Sequence, residues 1–149
     1  MRHIAIAELP SLIGQEIGVS DWLEVTQDQV NRFADTTDDH QWVHVDVERA
    51  TQEMGGPIAH GFLTLSLLSV LSASIYEIAG LERTLNYGFN KVRFVNMVRV
   101  GARVRLKHKL LAIEAKGPAI QASYESIIEI EDDPRPALIA EWLLMHYPS

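Results

Sequence analysis

The chain has 149 residues, a length that suits one domain, and 47% apolar against 22% charged residues excludes wholesale disorder. It has no cysteine, which excludes a disulfide scaffold, a thiolate zinc or iron–sulfur site and a cysteine nucleophile. The net charge of −7 speaks against non-specific nucleic-acid binding, which depends on Lys and Arg neutralising phosphates.

Residues 1–20 are mixed and broken by Pro10, Gly14 and Gly18, with no long apolar run and no small-residue cleavage site. Together with the missing cysteines, this points to the cytoplasm. Residues 15–19 read as a turn leading into a strand, and residues 20–25 as a short strand. Thr26 is placed as a helix N-cap, with Gln29 three residues on to complete a capping box. Val30, Phe33 and Ala34 then fall on one face of a helix ending at Thr36 or Thr37.

Residues 37–57 are polar and irregular. Within them, residues 43–46 read as an extended or turn segment and residues 47–53 as a short helix, stopped by Gly55-Gly56-Pro57. Residues 58–79 read as one long helix closed by Gly80, apolar nearly all round and so expected to be enclosed. His60, Glu77 and four serines (Ser66, Ser69, Ser72, Ser74) make it a poor membrane span. Beyond Gly80 the period changes to two. Residues 84–89, 90–94, 103–111, 120–130 and 137–147 read as strands, with turns at 98–101, 116–118 and 132–134. The order predicts a single α+β domain over residues 1–149, its antiparallel sheet wrapped around the apolar helix.

Chemistry concentrates in Asp38-Asp39-His40-Gln41-Trp42-Val43-His44-Val45-Asp46. Aspartate and histidine are the usual partners for proton transfer near neutral pH. Asp39 and His44, five apart across a turn, can face one cavity. Further on, Gly55-Gly56-Pro57-Ile58-Ala59-His60-Gly61 enters the long helix, whose first turn offers free N–H groups to an anion or a developing oxyanion. Simpler readings exist beside this one. The loop can be a solvated turn. His40 and His44, with Asp39 and Asp46, can ligate a metal if the segment is helical, which Trp42 and the valines disfavour, so no metal is expected. His60 can be a structural histidine, and Ser69 can bond back to the preceding turn.

The run from Phe33 to Ala50 resembles the hydratase signature of the MaoC-like dehydratase family, which includes the (R)-specific enoyl-CoA hydratases. Asp39, Val43, His44 and Ala50 match in register. Ile58-Ala59-His60-Gly61-Phe62 resembles the second family block. Three positions depart: Asp38 stands for Gly, Gln41 for Asn and Trp42 for Pro. Trp42, together with the run from Asn86 to Phe94, is similar to the single-domain branch related to nodulation protein N.

The resemblance implies a hotdog fold, a long helix wrapped by an antiparallel sheet and paired into a homodimer. It implies water addition across the C2–C3 double bond of a trans-2-enoyl thioester, giving the (3R)-hydroxyacyl product. Asp39 and His44 become the acid–base pair and the Gly61 N–H the oxyanion donor, with Ser69 in support. Gln41, Trp42 and His60 fall where substrate would be held, although packing suits the Trp42 ring as well. Coenzyme A would enter as part of the substrate, and no cofactor is expected. Lys91, Arg93, Arg99, Arg103 and Arg105 are candidates to meet its phosphates, or a strand's solvated face. A hotdog thioesterase and a non-catalytic acyl-thioester binding protein are the alternatives.

Overall fold

The computed structural model describes residues 1–149. The chain opens with β1 (Arg2–Ala5), a 3₁₀ helix (Ile6–Leu12), β2 (Glu16–Val19) and β3 (Leu23–Glu24). Four helices follow: α1 (Gln27–Thr37), α2 (Trp42–Val45), α3 (Val47–Met54) and α4 (Gly61–Ile75). The rest is strand: β4 (Tyr76–Ala79), β5 (Leu81–Phe94), β6 (Arg103–Lys116), β7 (Ala119–Ile130) and β8 (Leu138–Pro148).

The main sheet is antiparallel in the order β2-β6-β7-β8-β5, and β3 also pairs with β6. Side chains of a strand alternate between faces, so every second residue is buried along most of β7 and in β6 as far as Leu110, while β8 buries three in a row at Trp142, Leu143 and Leu144. Leu106, Ile128 and Leu138 form one row across the sheet, and Tyr124, Trp142 and Phe89 another. Leu63, Leu67, Leu68, Leu71 and Ile75 of α4 bury themselves in the same core. Each such side chain contributes roughly 1.5–3 kcal/mol on burial. β2 crosses close to the end of α4. A Cβ on Gly18 would lie 2.5 Å from Cγ2 of Ile75, so only glycine fits there. This is the α+β hotdog arrangement.

Several expectations need correction. α4 is shorter than residues 58–79. Ile58 bridges to Arg99 instead, and residues 76–79 form β4, which pairs in parallel with β1. Gly80, at φ 88°, is the turn from β4 into β5 and not a helix cap. The two strands expected over 84–94 are one, bent by register shifts at three places. The strand expected over 20–25 shrinks to Leu23–Glu24. The capping box at Thr26 forms only in half: its Oγ1 accepts from the Gln29 N–H at 3.2 Å. Nor is α4 enclosed by its own chain. Phe62 and Val70 are 69% and 54% exposed, because β5 stands at the sheet edge. No helix is long and apolar enough to cross a membrane.

Candidate active site

The site begins where α1 stops. Asp38 caps that helix in the left-handed conformation (φ 59°), which reverses the chain and delivers Asp39. Aspartate tolerates this conformation better than most residues, so it can occupy a position filled by glycine in the resembling signature. α2 then forms a single turn against the propensity of Trp42, Val43 and Val45. Two tertiary bonds explain it. Gln27 Nε2 donates to the His44 carbonyl at 2.8 Å, and His44 Nδ1 donates to the Ile58 carbonyl at 2.7 Å. A carbonyl can only accept, so the His44 proton sits on Nδ1 and Nε2 carries the lone pair.

His60 is buried behind His44. The two rings stack at 3.8 Å with 24° between their planes, and Phe33 lies 4.9 Å from His60. His60 Nε2 donates to the Asp39 carbonyl at 3.0 Å, while its Nδ1 is buried without a partner. One carboxylate oxygen of Asp39 and one ring nitrogen each of His44 and His60 lie within 4.8 Å of one another.

α4 starts immediately beyond. His60 is its N-cap residue, and no side chain caps its first turn. The Gly61 N–H therefore lacks both an intrahelical acceptor and a capping side chain. A Cβ on Gly61 would come within 3.2 Å of the Phe94 ring. A hollow of about 250 Å³ opens here, lined by His44, Gly61, Thr64, Phe94 and Met97 among others. The His44 ring and the uncapped helix start thus line one small, largely apolar space, and a carboxylate oxygen of Asp39 lies within 4.8 Å of a His44 ring nitrogen. Such a set can hold a water, move a proton and bind a developing oxyanion.

The structure brings together four of the residues singled out by sequence: Asp39, His44, His60 and Gly61. His44 and Gly61 line the hollow, whereas Asp39 and His60 are not among its lining residues. Gln41 is exposed, and its N–H sits 3.5 Å from Asp39 Oδ1. Trp42 is half-buried with the Arg49 guanidinium 4.1 Å above its ring, a packing contact outside the hollow. Ser69 lies eight residues beyond Gly61, about 12 Å along the helix axis at 1.5 Å per residue. It lines a different hollow, of about 400 Å³, with Ser72, Tyr76, Thr84 and His146.

His40 turns outward to Asp35 (2.8 Å) and Asp38 (3.4 Å). The Asp35 hydrogen bond, offset by some burial and helped by the charges of Asp35 and Asp38, raises its pKa. Asp46 caps α3 through the Arg49 N–H at 3.1 Å. Neither joins His44, so the donor atoms within reach of a single ion are those of Asp39, His44 and His60. Among the cations, Arg103 pairs with Glu131, and Arg105 pairs with Glu129 beneath the Trp22 ring. Arg99 donates to the Gly56 carbonyl. Lys91 and Arg93 make no ion pair. Sequence reasoning missed Gln27, Phe33, Phe94 and the Ile58 carbonyl, since no local pattern marks a contact made across the fold.

Comparison with known proteins completes the picture. Residues 8–127 match the model of the MaoC like domain. 3-hydroxyacyl-thioester dehydratase Z of Mycobacterium tuberculosis (strain H37Rv) is 44% identical over 144 residues, covering 95% of each chain. Nodulation protein N of Rhizobium leguminosarum bv. viciae is 46% identical over 147 residues, 96% of this chain and 91% of the relative. The unliganded (R)-hydratase PhaJ1 from Pseudomonas aeruginosa superimposes with a TM-score of 0.72 at 20% identity, over 92% of this chain and 83% of that one, which shows a shared fold. With the family model covering most of its length and relatives above 40% identity along nearly all of it, this chain belongs to the MaoC-like domain family.

Proposed function

We propose that the protein is a hydro-lyase that adds water across the C2–C3 double bond of a trans-2-enoyl-CoA thioester to give the (3R)-hydroxyacyl product, and catalyses the reverse dehydration. One observation carries this reading. A ring nitrogen of His44 and a carboxylate oxygen of Asp39 lie within 4.8 Å of each other, and His44 shares one hollow with Gly61 at the uncapped start of α4. The dehydratase name of a 44% identical relative supports it.

Asp39 and His44 hold the water between them. As its oxygen bonds to C3, the C2–C3 π pair moves toward the thioester and charge gathers on the carbonyl oxygen. The Gly61 N–H, at the positive end of α4, faces that charge. One proton of the water leaves through the pair and one returns to C2, so atoms and charge balance with no change in overall oxidation state. No redox group is needed, and we propose none. Each acid–base group is worth about 10²–10⁴-fold and one oxyanion donor about 10²–10³-fold. Ser69, which lines the other hollow, keeps at most a supporting role. The protein is read as a cytoplasmic homodimer in acyl-chain metabolism, its unpaired β5 edge supporting the dimer.

The test is the enoyl-thioester absorbance of crotonyl-CoA, followed with wild type and Asp39→Asn. We expect a decrease in absorbance, slowed at least 10²-fold by the substitution. Thiol release in place of double-bond loss would move the reading to a thioesterase.

A further inference from the structure

We infer that His60 is a positioning residue that ties the acid–base pair to the first turn of α4, an inference that rests on the hydratase reading. One backbone position and three side-chain contacts meet at this residue. Its backbone is the N-cap residue next to Gly61. Its Nε2 donates to the Asp39 carbonyl at 3.0 Å. One ring contact is the His44 imidazole at 3.8 Å, and another is Phe33 at 4.9 Å.

The ring does more than fill space. A hydrocarbon ring would pack against Phe33 and His44 with no nitrogen to satisfy. His60 instead leaves Nδ1 buried and unpartnered, an arrangement native proteins mostly avoid. It is tolerated where the opposite nitrogen does something a hydrocarbon cannot, and here that nitrogen holds a main-chain carbonyl. The target is the backbone of Asp39 and not its carboxylate. His60 thus fixes where Asp39 sits without engaging either carboxylate oxygen.

The effect on His44 is complementary. The Ile58 carbonyl fixes the in-plane direction of the His44 ring through Nδ1. The stacked His60 ring fixes the plane itself. One directional bond and one face contact leave the imidazole a single orientation for its Nε2. Because His60 is continuous with Gly61, the aspartate, the histidine and the oxyanion donor share one rigid support. Catalytic groups need placement to about 0.5 Å, and a misplacement of about 1 Å can cost 10²-fold in rate. His60 does not line the hollow, so its loss should affect turnover and leave substrate affinity nearly intact.

The two rings should carry opposite tautomers, Nδ1–H on His44 and Nε2–H on His60. Long-range ¹H–¹⁵N spectra of the wild-type protein at alkaline pH read this directly. In parallel, kcat and KM for crotonyl-CoA are compared in His60→Phe, which keeps a ring face and loses the donor, and His60→Gln, which keeps a donor and loses the stack. We expect the stated tautomers, a loss of kcat of about 10–100-fold in His60→Phe with KM within about threefold, and partial recovery in His60→Gln. Protonation of His60 at Nδ1 overturns the inference, as does a His60→Phe enzyme with wild-type kcat or with a raised KM alone. The spectra need neither a folded variant nor turnover, so they decide the matter even if His60→Phe misfolds. A wild type that shows both tautomers yet no turnover would overturn the hydratase reading and leave the His60 link standing.

Discussion

Nδ1 of His44 and the carbonyl oxygen of Ile58 lie 2.7 Å apart, and this one bond decides which nitrogen of the imidazole is available for chemistry. His44→Asn tests the consequence. Its amide N–H can still reach toward Ile58, but no basic nitrogen remains. We expect kcat on crotonyl-CoA to fall by about 10²–10⁴-fold while the melting temperature stays within a few degrees of wild type. An active variant would remove His44 from the proton path.

Asp38 offers a stability test at the edge of the same site. A left-handed conformation costs an L-residue roughly 1–2 kcal/mol, less for aspartate, and glycine avoids most of it. The Asp38 side chain is 97% exposed, so its 3.4 Å contact with His40 returns little. Asp38→Gly should therefore raise the melting temperature by about 2–4 °C, the shift expected for roughly 1 kcal/mol at this length. Thermal melts would settle it, and a lower midpoint would mean that the carboxylate matters more than the backbone.

What the sequence could reveal was set by how local each determinant is. Asp39, His44, His60 and Gly61 fall within 23 residues of chain, and their spacing together with the resemblance brought them to one site. The strands beyond Gly80 announced themselves by alternation. The errors fall where a distant partner overrides local preference. Tyr76-Glu77-Ile78-Ala79 continues an apolar helix on paper, but β1, more than 70 residues earlier, draws it into a parallel pair. Trp42, Val43 and Val45 resist a helix, yet Gln27 and Ile58 hold one turn closed. Ser69 carries the right chemistry on the right helix, and only the three-dimensional path of α4 shows that it faces another hollow.

A chain of buried polar groups sets the expected response to acid. His108 bonds Ser126 at 3.0 Å and approaches Tyr76 at 3.4 Å, while His146 bridges Tyr124 at 3.0 Å and Thr84 at 2.8 Å. Burial, with a smaller contribution from the charge of His146, lowers His108 to about 3, and burial lowers His146 to about 4. The unfolded chain takes up these protons near pH 6.5, before the folded one does. The stability of the neutral rings is thus complete above pH 6.5 and drains away as pH falls toward 4 and 3. Melts between pH 7.5 and 4 should show a falling midpoint, with a shallower slope in His146→Gln. Equal slopes would mean that paired carboxylates, and not these histidines, dominate the acid response.

The longest-range expectation concerns β5. It pairs with β8 on one side only, and its other edge offers unpaired N–H and C=O groups over much of its 14 residues. Leu85, Tyr87, Phe89 and Phe94 are exposed along it, and Phe62 and Val70 along α4. A free edge flanked by apolar side chains invites pairing, and natural proteins usually protect such edges. A second copy of β5 running antiparallel would satisfy the edge, and the exposed face of α4 would then meet its own counterpart across the two-fold axis. Sedimentation should therefore report twice the 16.7 kDa chain mass at micromolar concentration. Leu85→Lys combined with Tyr87→Lys places two charges from each copy in the interface, where each would have to be desolvated or repelled by its mate, so the species should shift to monomer. A wild type that sediments as a monomer would refute the pairing and leave both the β5 edge and the exposed face of α4 open to solvent.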